Sequence, residues 1–219
     1  MTILRVENNR MAQARWTNTP PGTADFRSDE WTVAPRIQIK KYWSGATAPA
    51  SRRAEARVLW SDAGLHVLFN YPQHEALVVE ENPVTSQKTM RLWDRDVCEV
   101  FVSPVTRTPN SYFEFEAAPT GEWLDVAICF TDQGRESDWM FKSGMRVAAR
   151  IEREHVAISL LVPWSAQMPK PSSGDTWRAN FFRCVGQGAG RGYVAWQPTL
   201  TDEPNFHVPE RFGLLRFET

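Results

Sequence analysis

The sequence lacks most of the devices that impose structure or address from outside the core. Its three cysteines, Cys98, Cys129 and Cys184, are odd in number, far apart and without a CxxC spacing, which excludes a disulfide framework or a zinc-finger pattern. Each lies in an apolar run and reads as a buried free thiol in a strand. No apolar stretch is long enough to span a bilayer, and the opening MTILRVENNRMAQARW has no signal-peptide core. As written, the chain is expected in the cytoplasm, with secretion left open for a trimmed N-terminus. An excess of one charge is lacking too: 25 Lys and Arg stand against 26 Asp and Glu. Such a balance gives no field to draw nucleic acid or an anionic membrane. A small neutral ligand suits it better.

Aromatic surface, by contrast, is plentiful. Ten Trp and twelve Phe accompany only four Tyr, and tryptophan offers a large flat apolar face that can stack on a ligand as well as fill a core. With 42% hydrophobic and 23% charged residues the 219-residue chain has the composition of a folded globular protein. Residues 1–30 are polar and punctuated by Pro20-Pro21-Gly22, which predicts a lead-in with at most an edge strand. Residues 31–219 form one uninterrupted body.

Within that body short β-rich runs recur between Gly, Pro, Asn and Asp breaks, and sustained helical periodicity is missing. Residues 54–60 and 65–71 flank Ser61-Asp62-Ala63-Gly64 and predict a hairpin. Further strands are expected at 97–102, 111–117, 123–130, 145–152, 155–162, 177–184, 193–196 and 213–217. The expected fold is all-β, an antiparallel two-sheet β-sandwich of jelly-roll type with at most one or two short helical turns. Such a turn is expected at Pro163-Trp164-Ser165-Ala166-Gln167, where proline suits the first turn and Pro169 and Pro171 prevent a longer helix.

Alternate strand residues share a face, so Glu99 falls with Val97 and Phe101. Glu114 and Glu116 alternate with Phe113, Phe115 and Ala117, while Arg178 and Asn180 accompany Trp177 and Phe181. Two or three strands therefore carry polar groups on one face. This describes either a solvated outer face or a concave face with donors and acceptors for a sugar beside an aromatic platform.

Four segments carry a family resemblance in the right order. They are Ala56-Arg57-Val58-Leu59-Trp60-Ser61-Asp62 with Leu65-His66-Val67, Trp93-Asp94-Arg95-Asp96-Val97-Cys98-Glu99-Val100-Phe101, Phe115-Glu116-Ala117-Ala118-Pro119-Thr120-Gly121-Glu122, and Phe206-His207-Val208-Pro209-Glu210-Arg211-Phe212-Gly213. The second is similar to a W-x-x-D-x-V-E-I-F pattern. Over most of residues 31–219 the chain resembles the family 9 carbohydrate-binding modules. The resemblance implies a β-sandwich that binds a mono- or oligosaccharide between two aromatic rings, without catalysis and with a role in polysaccharide catabolism. It places Trp93 at one ring and Glu99 at the ligand-binding carboxylate. Phe206 stands at the second ring position, where the family has tryptophan. Glu116 stands where the family site can carry arginine, with Arg178 or Arg183 as its expected partner. Arg178 and Asn180 complete the proposed polar contacts.

The remaining tryptophans divide into Trp60, Trp164, Trp177 and Trp196 for the core and Trp123 and Trp139 for partly exposed places. No cofactor is expected, although the resemblance allows structural calcium in loops, with Asp62, Asp94, Asp96 and Asp202 as donors; no EF-hand pattern is present. Three other readings stay open. A glycoside hydrolase would use a pair from Glu99, Glu116 and Asp125. A haem-binding sandwich would need axial ligands from Met90, Met145, His66 and His155. A structural or protein-interaction module would use the aromatics only as core.

Overall fold

The computed structural model describes residues 10–105, 107–108 and 110–219. Its strands are β1 (Met11–Trp16), β2 (Ile37–Ile39), β3 (Lys41–Tyr42), β4 (Ala54–Trp60), β5 (Gly64–Pro72), β6 (Val97–Ser103) and β7 (Ser111–Ala117). They continue as β8 (Trp123–Thr131), β9 (Gly134–Asp138), β10 (Arg146–Glu152), β11 (His155–Pro163), β12 (Thr176–Val185), β13 (Gly192–Ala195) and β14 (Gly213–Glu218). The fold is all-β. Among the described residues helical structure is confined to 3-10 turns at Asp29–Val33, Ala50–Arg52, Leu92–Asp94, Gly188–Gly190 and Pro209–Arg211. That exceeds the one or two expected, and none falls at the predicted place. Pro163 instead ends β11 opposite Gly64, and the chain then closes a turn through Ser165 N–H to Met168 C=O.

The hydrogen-bonded path runs β10-β11-β5-β4-β1-β14-β12-β6-β7-β8-β9. β1 corrects two expectations at once. It is no edge strand, since it lies between β14 and β4, and it is parallel to both, so the sheet is mixed and not wholly antiparallel. Alternation of Ala12 and Ala14, both buried, with Gln13 and Arg15 gives β1 a narrow apolar face that fits between larger strands. The other pairings are antiparallel, and β4 and β5 form the predicted hairpin. A Cβ at Gly64 would lie 2.2 Å from the carbonyl oxygen of Val162, so the close approach of β5 to β11 depends on glycine there.

Strand parity divides the side chains of β6, β7 and β12 between two clusters. Cys98, Val100, Val102, Phe113, Phe115 and Phe181 join the main core. Trp60, Trp177 and Phe217 line up edge to face within it, with centroids 5.6 Å and 4.8 Å apart. Each such ring taken from water contributes roughly 1.5–3 kcal/mol by area, more than its polar neighbours on the surface can. Trp164 and Trp196 pack against this core half-buried. The opposite parity puts Val97, Phe101, Tyr112, Leu124, Val126, Ile128 and Phe182 into a second apolar cluster, and that face carries the site.

Candidate functional site

Register brings the acidic residues together. Glu99 of β6 lies directly opposite Glu116 of β7, and Glu114 lies opposite Phe101, so three carboxyls share the second face. Glu99 and Glu114 form the floor of a cavity of about 330 Å³, with Trp93, Trp139, Phe206 and His207 around it and Arg135 at its rim.

Trp93 stands on the 3-10 turn Leu92–Asp94. Leu92 is fully buried and anchors the turn. The Arg191 guanidinium donates to the carbonyls of Trp93, Arg95 and Gly186, which fixes the turn from below. Trp139 follows β9, and Lys88 fixes it. The Lys88 ammonium pairs with Asp125 at 2.6 Å and donates to the carbonyls of Trp139 and Phe141. Asp125 is further held by the N–H and hydroxyl of Ser143. The Trp93 and Trp139 rings lie 5.9 Å apart between centroids with a 33° tilt. A sugar ring with carbon contacts on both faces needs about 7–8 Å, so the two indoles form one bent platform and not the two sides of a slot.

Phe206 lines the cavity, but Phe182 covers one face of its ring at 3.9 Å and 16°, and only 7% of the residue is exposed. Glu116 is fully buried behind the floor, and no donor outside the acidic cluster reaches it; its carboxyl meets that of Glu114. Arg183, one of its two expected partners, has the opposite parity. It lies over Tyr71 at 3.8 Å and donates to Gln73. Arg178 donates to the Pro209 carbonyl. The Asn180 side chain is engaged by Gln197, donating to its C=O and accepting from its N–H. Of the six residues singled out by sequence, Trp93, Glu99 and Phe206 line the cavity; Glu116, Arg178 and Asn180 stand outside its lining. Asp125 has the parity of the main core and so does not face Glu99.

Burial, reinforced by the neighbouring Glu114 charge, pushes Glu99 up to about 8, and its Oε1 accepts only the Cys184 thiol at 3.4 Å. Glu114 is raised by burial to about 7. Burial and then the Glu99 and Glu114 charges hold Glu116 well above the carboxylate range. His207 moves the other way, lowered to about 3 by burial with the Arg135 charge adding. It is a neutral imidazole at pH 7, stacked on Phe101 and bonded through Nδ1 to the Tyr112 hydroxyl at 2.7 Å. At neutral pH the floor can therefore both donate and accept.

From the sequence, alternation marks Glu114 as a face residue without assigning it to the site, and Trp139 reads only as partly exposed. The usable signal is that Glu114 shares its parity with Glu116; its place opposite Phe101 emerges only from the strand register. Trp139 opens a short loop, Trp139-Met140-Phe141-Lys142-Ser143-Gly144, with no periodicity to mark which of its apolar residues faces a ligand. His207 is inside the fourth family segment, where its contact with Tyr112 depends on two segments far apart in sequence.

A larger groove, about 730 Å³, runs past Arg10, Arg36, Lys40, Lys41 and Arg211. It is basic and contains no buried carboxylate, so the smaller cavity is the better candidate. The aspartates considered for calcium are dispersed: Asp62 pairs with Lys170, Asp94 with Arg91, and Asp96 accepts from the Gly186 and Val78 N–H groups. His66 and His155 bond to Ser61 and Asn70. No helix among the described residues is long and apolar enough to cross a membrane.

The profile of carbohydrate-binding family 9 matches residues 42–217. The chain belongs to carbohydrate-binding family 9. At 21% identity over 213 residues it also matches endo-1,4-beta-xylanase A of Thermotoga neapolitana, covering 97% of this chain but 18% of that enzyme's length. A candidate carbohydrate-binding protein from Bacteroides uniformis shares the fold at TM-score 0.71 and 19% identity, over 95% of this chain and 99% of the other. Two structures of a family 9 carbohydrate binding module from Caldicellulosiruptor kristjanssonii share it at TM-score 0.62. The one in complex with cellotriose is 12% identical, with 95% of this chain and 93% of that one covered. The one in complex with glucose is 13% identical, with 94% and 95% covered.

Proposed function

We propose that the cavity binds a mono- or oligosaccharide without chemical turnover, in the service of polysaccharide breakdown. The observation that carries this is the bent indole platform of Trp93 and Trp139 beside the buried carboxyls of Glu99 and Glu114. Aromatic faces cover the C–H surface of a sugar, and carboxylates accept from its hydroxyls. Phe206 adds apolar contact; Glu116, Arg178 and Asn180 act from behind the lining. Family membership supports the reading, as do the cellotriose and glucose complexes of the Caldicellulosiruptor module and the xylanase relative. We also read the curled sheet as two packed layers of a sandwich, with the site on the outer face of one.

Isothermal titration with glucose, cellobiose, xylose and xylo-oligomers tests it. Wild-type protein is expected to bind at least one of them. Trp93→Ala is expected to bind about tenfold more weakly or worse, the loss that removal of about 1.4 kcal/mol produces. Binding that survives Trp93→Ala unchanged would remove the platform from the site.

A hydrolase is the second reading, favoured by the placement of two buried carboxyls, Glu99 and Glu114, on one cavity floor, where burial pushes both upward as a general acid needs. Turnover of chromogenic glycosides that disappears in Glu99→Gln would establish it in place of simple binding.

A further inference from the structure

The buried acids of this chain fall into two groups. Glu122 accepts from Arg95, Thr89 and Thr120. Asp125 pairs with Lys88 and accepts from Ser143. Asp96 accepts from two backbone N–H groups. Each is compensated from within the protein, as a buried carboxylate ordinarily must be.

Glu99, Glu114 and Glu116 are not. The Cys184 thiol is a weak donor to Glu99, and Glu116 meets no hydrogen-bonding group but the Glu114 carboxyl, to which it donates when protonated. The nearest basic group to Glu114 is the neutral imidazole of His207, 3.9 Å away. Arg191 is committed to three carbonyls, and Arg135 is exposed at the rim. Glu99 and Glu114 nevertheless line the cavity while only 3% and 4% exposed. The protein side supplies no cation to hold them ionised, so burial keeps them largely protonated near neutral pH, and the cavity is the space from which a compensating positive charge can arrive.

We infer that the ligand carries a protonated amino group: an amino sugar such as glucosamine, or an oligomer of it, with its ammonium seated against Glu114 and Glu99 and its ring on Trp93. The inference rests on the carbohydrate reading above and narrows it to a class of sugar. A neutral hydroxyl can exchange hydrogen bonds with these carboxyls but cannot draw them into the ionised form. An ammonium supplies three donors and the opposite charge, and indole faces beside it attract a cation as well. Acetylation of the amine removes the charge while keeping the sugar, which makes N-acetylglucosamine the discriminating control.

The experiment is titration of the full chain with glucosamine, glucose, N-acetylglucosamine and methylammonium at one ionic strength, with and without calcium. Glucosamine is expected to bind about tenfold or more tightly than glucose or N-acetylglucosamine, as a close charge pair in a partly dry site allows. Glu114→Gln is expected to erase most of that ratio. If Glu114→Gln does not fold, Glu99→Gln and the wild-type ratio decide. Equal binding of glucose and glucosamine overturns the amine and leaves the carbohydrate reading intact. No binding of any sugar overturns both. Methylammonium binding as tightly as glucosamine, or calcium displacing it, makes the pocket a cation site and overturns the amino sugar.

Discussion

Glu116 is a buried carboxyl whose partners are other carboxyls, with Glu99 opposite it and Glu114 beside it. In the unfolded chain all three titrate near 4.5; in the folded chain Glu114 and Glu99 are raised to about 7 and about 8, and Glu116 lies higher still. The folded protein therefore holds more protons. The cluster's contribution to stability is fully present below about pH 4.5 and is lost as pH rises through 7 and 8. His66 and His207 act in the opposite sense, since burial lowers them to about 4 and about 3. Their contribution is present above the ordinary value of 6.5 and is lost as pH falls toward 4 and 3. Between pH 6.5 and 8.5 the glutamates dominate this linkage. The thermal midpoint of the wild type is expected to fall over that range, and Glu116→Gln to raise the value at pH 8.5 by roughly 2–4 °C for each kcal/mol recovered. Circular dichroism melts at the two pH values check this; parallel slopes in both proteins would place the origin elsewhere.

Parity made Glu99 legible from its neighbours alone, because alternation in Val97, Glu99 and Phe101 survives in the folded strand. The cover over Phe206 was not legible: it depends on how far a C-terminal loop settles onto Phe182 of β12. Arg183 was misread as a partner for Glu116 because charge was weighed before parity.

At the scale of elements, β4 and β7 have the bounds the sequence predicts, residues 54–60 and 111–117, and the other long strands differ by a residue at one or both ends. Four strands were not placed by sequence: β2 and β3 span three and two residues, too few for a periodicity to show, and β9 and β1 escaped for other reasons. The polar β9, Gly-Arg-Glu-Ser-Asp, has no apolar alternation and is held by its ladder with β8. β1 hides its apolar face in alanines, which have little strand propensity of their own. The loop that follows β9 matters most for binding, and Lys88 is its fastening. Lys88→Met leaves Asp125, whose side chain is 1% exposed, buried without its cation, a loss of about 3–5 kcal/mol readable in urea denaturation. Trp139 should lose its position at the same time, so sugar affinity falls. The double variant Lys88→Met/Asp125→Asn should recover much of the stability and none of the affinity. Wild-type sugar binding in either variant would mean that the platform does not depend on this ammonium.

For the molecule as a whole, the matched family region starts at residue 42, yet β1 lies before it and is the link between β4 and β14. Without β1 the path separates into a β10–β4 half and a β14–β9 half, each with a bare hydrogen-bonding edge. Deletion of residues 1–17 is expected to abolish a single cooperative unfolding transition and to promote association, measured by calorimetry and light scattering. A truncated chain that still melts in one sharp monomeric transition would show that the link is dispensable. The haem and hydrolase readings could not be weighed from sequence at this scale, since both depend on which strands face each other across the fold.

The ion pair between Arg15 and Glu218 joins residues 203 positions apart, and the β1 to β14 ladder runs alongside it. During synthesis β1 emerges about 200 residues ahead of its partner β14. At ribosomal rates of about 5–20 residues per second that interval lasts on the order of ten to forty seconds. Throughout it, Met11–Trp16 is an unpaired β-forming segment, dependent on chaperones or on transient pairing with β4 until the closing strand arrives.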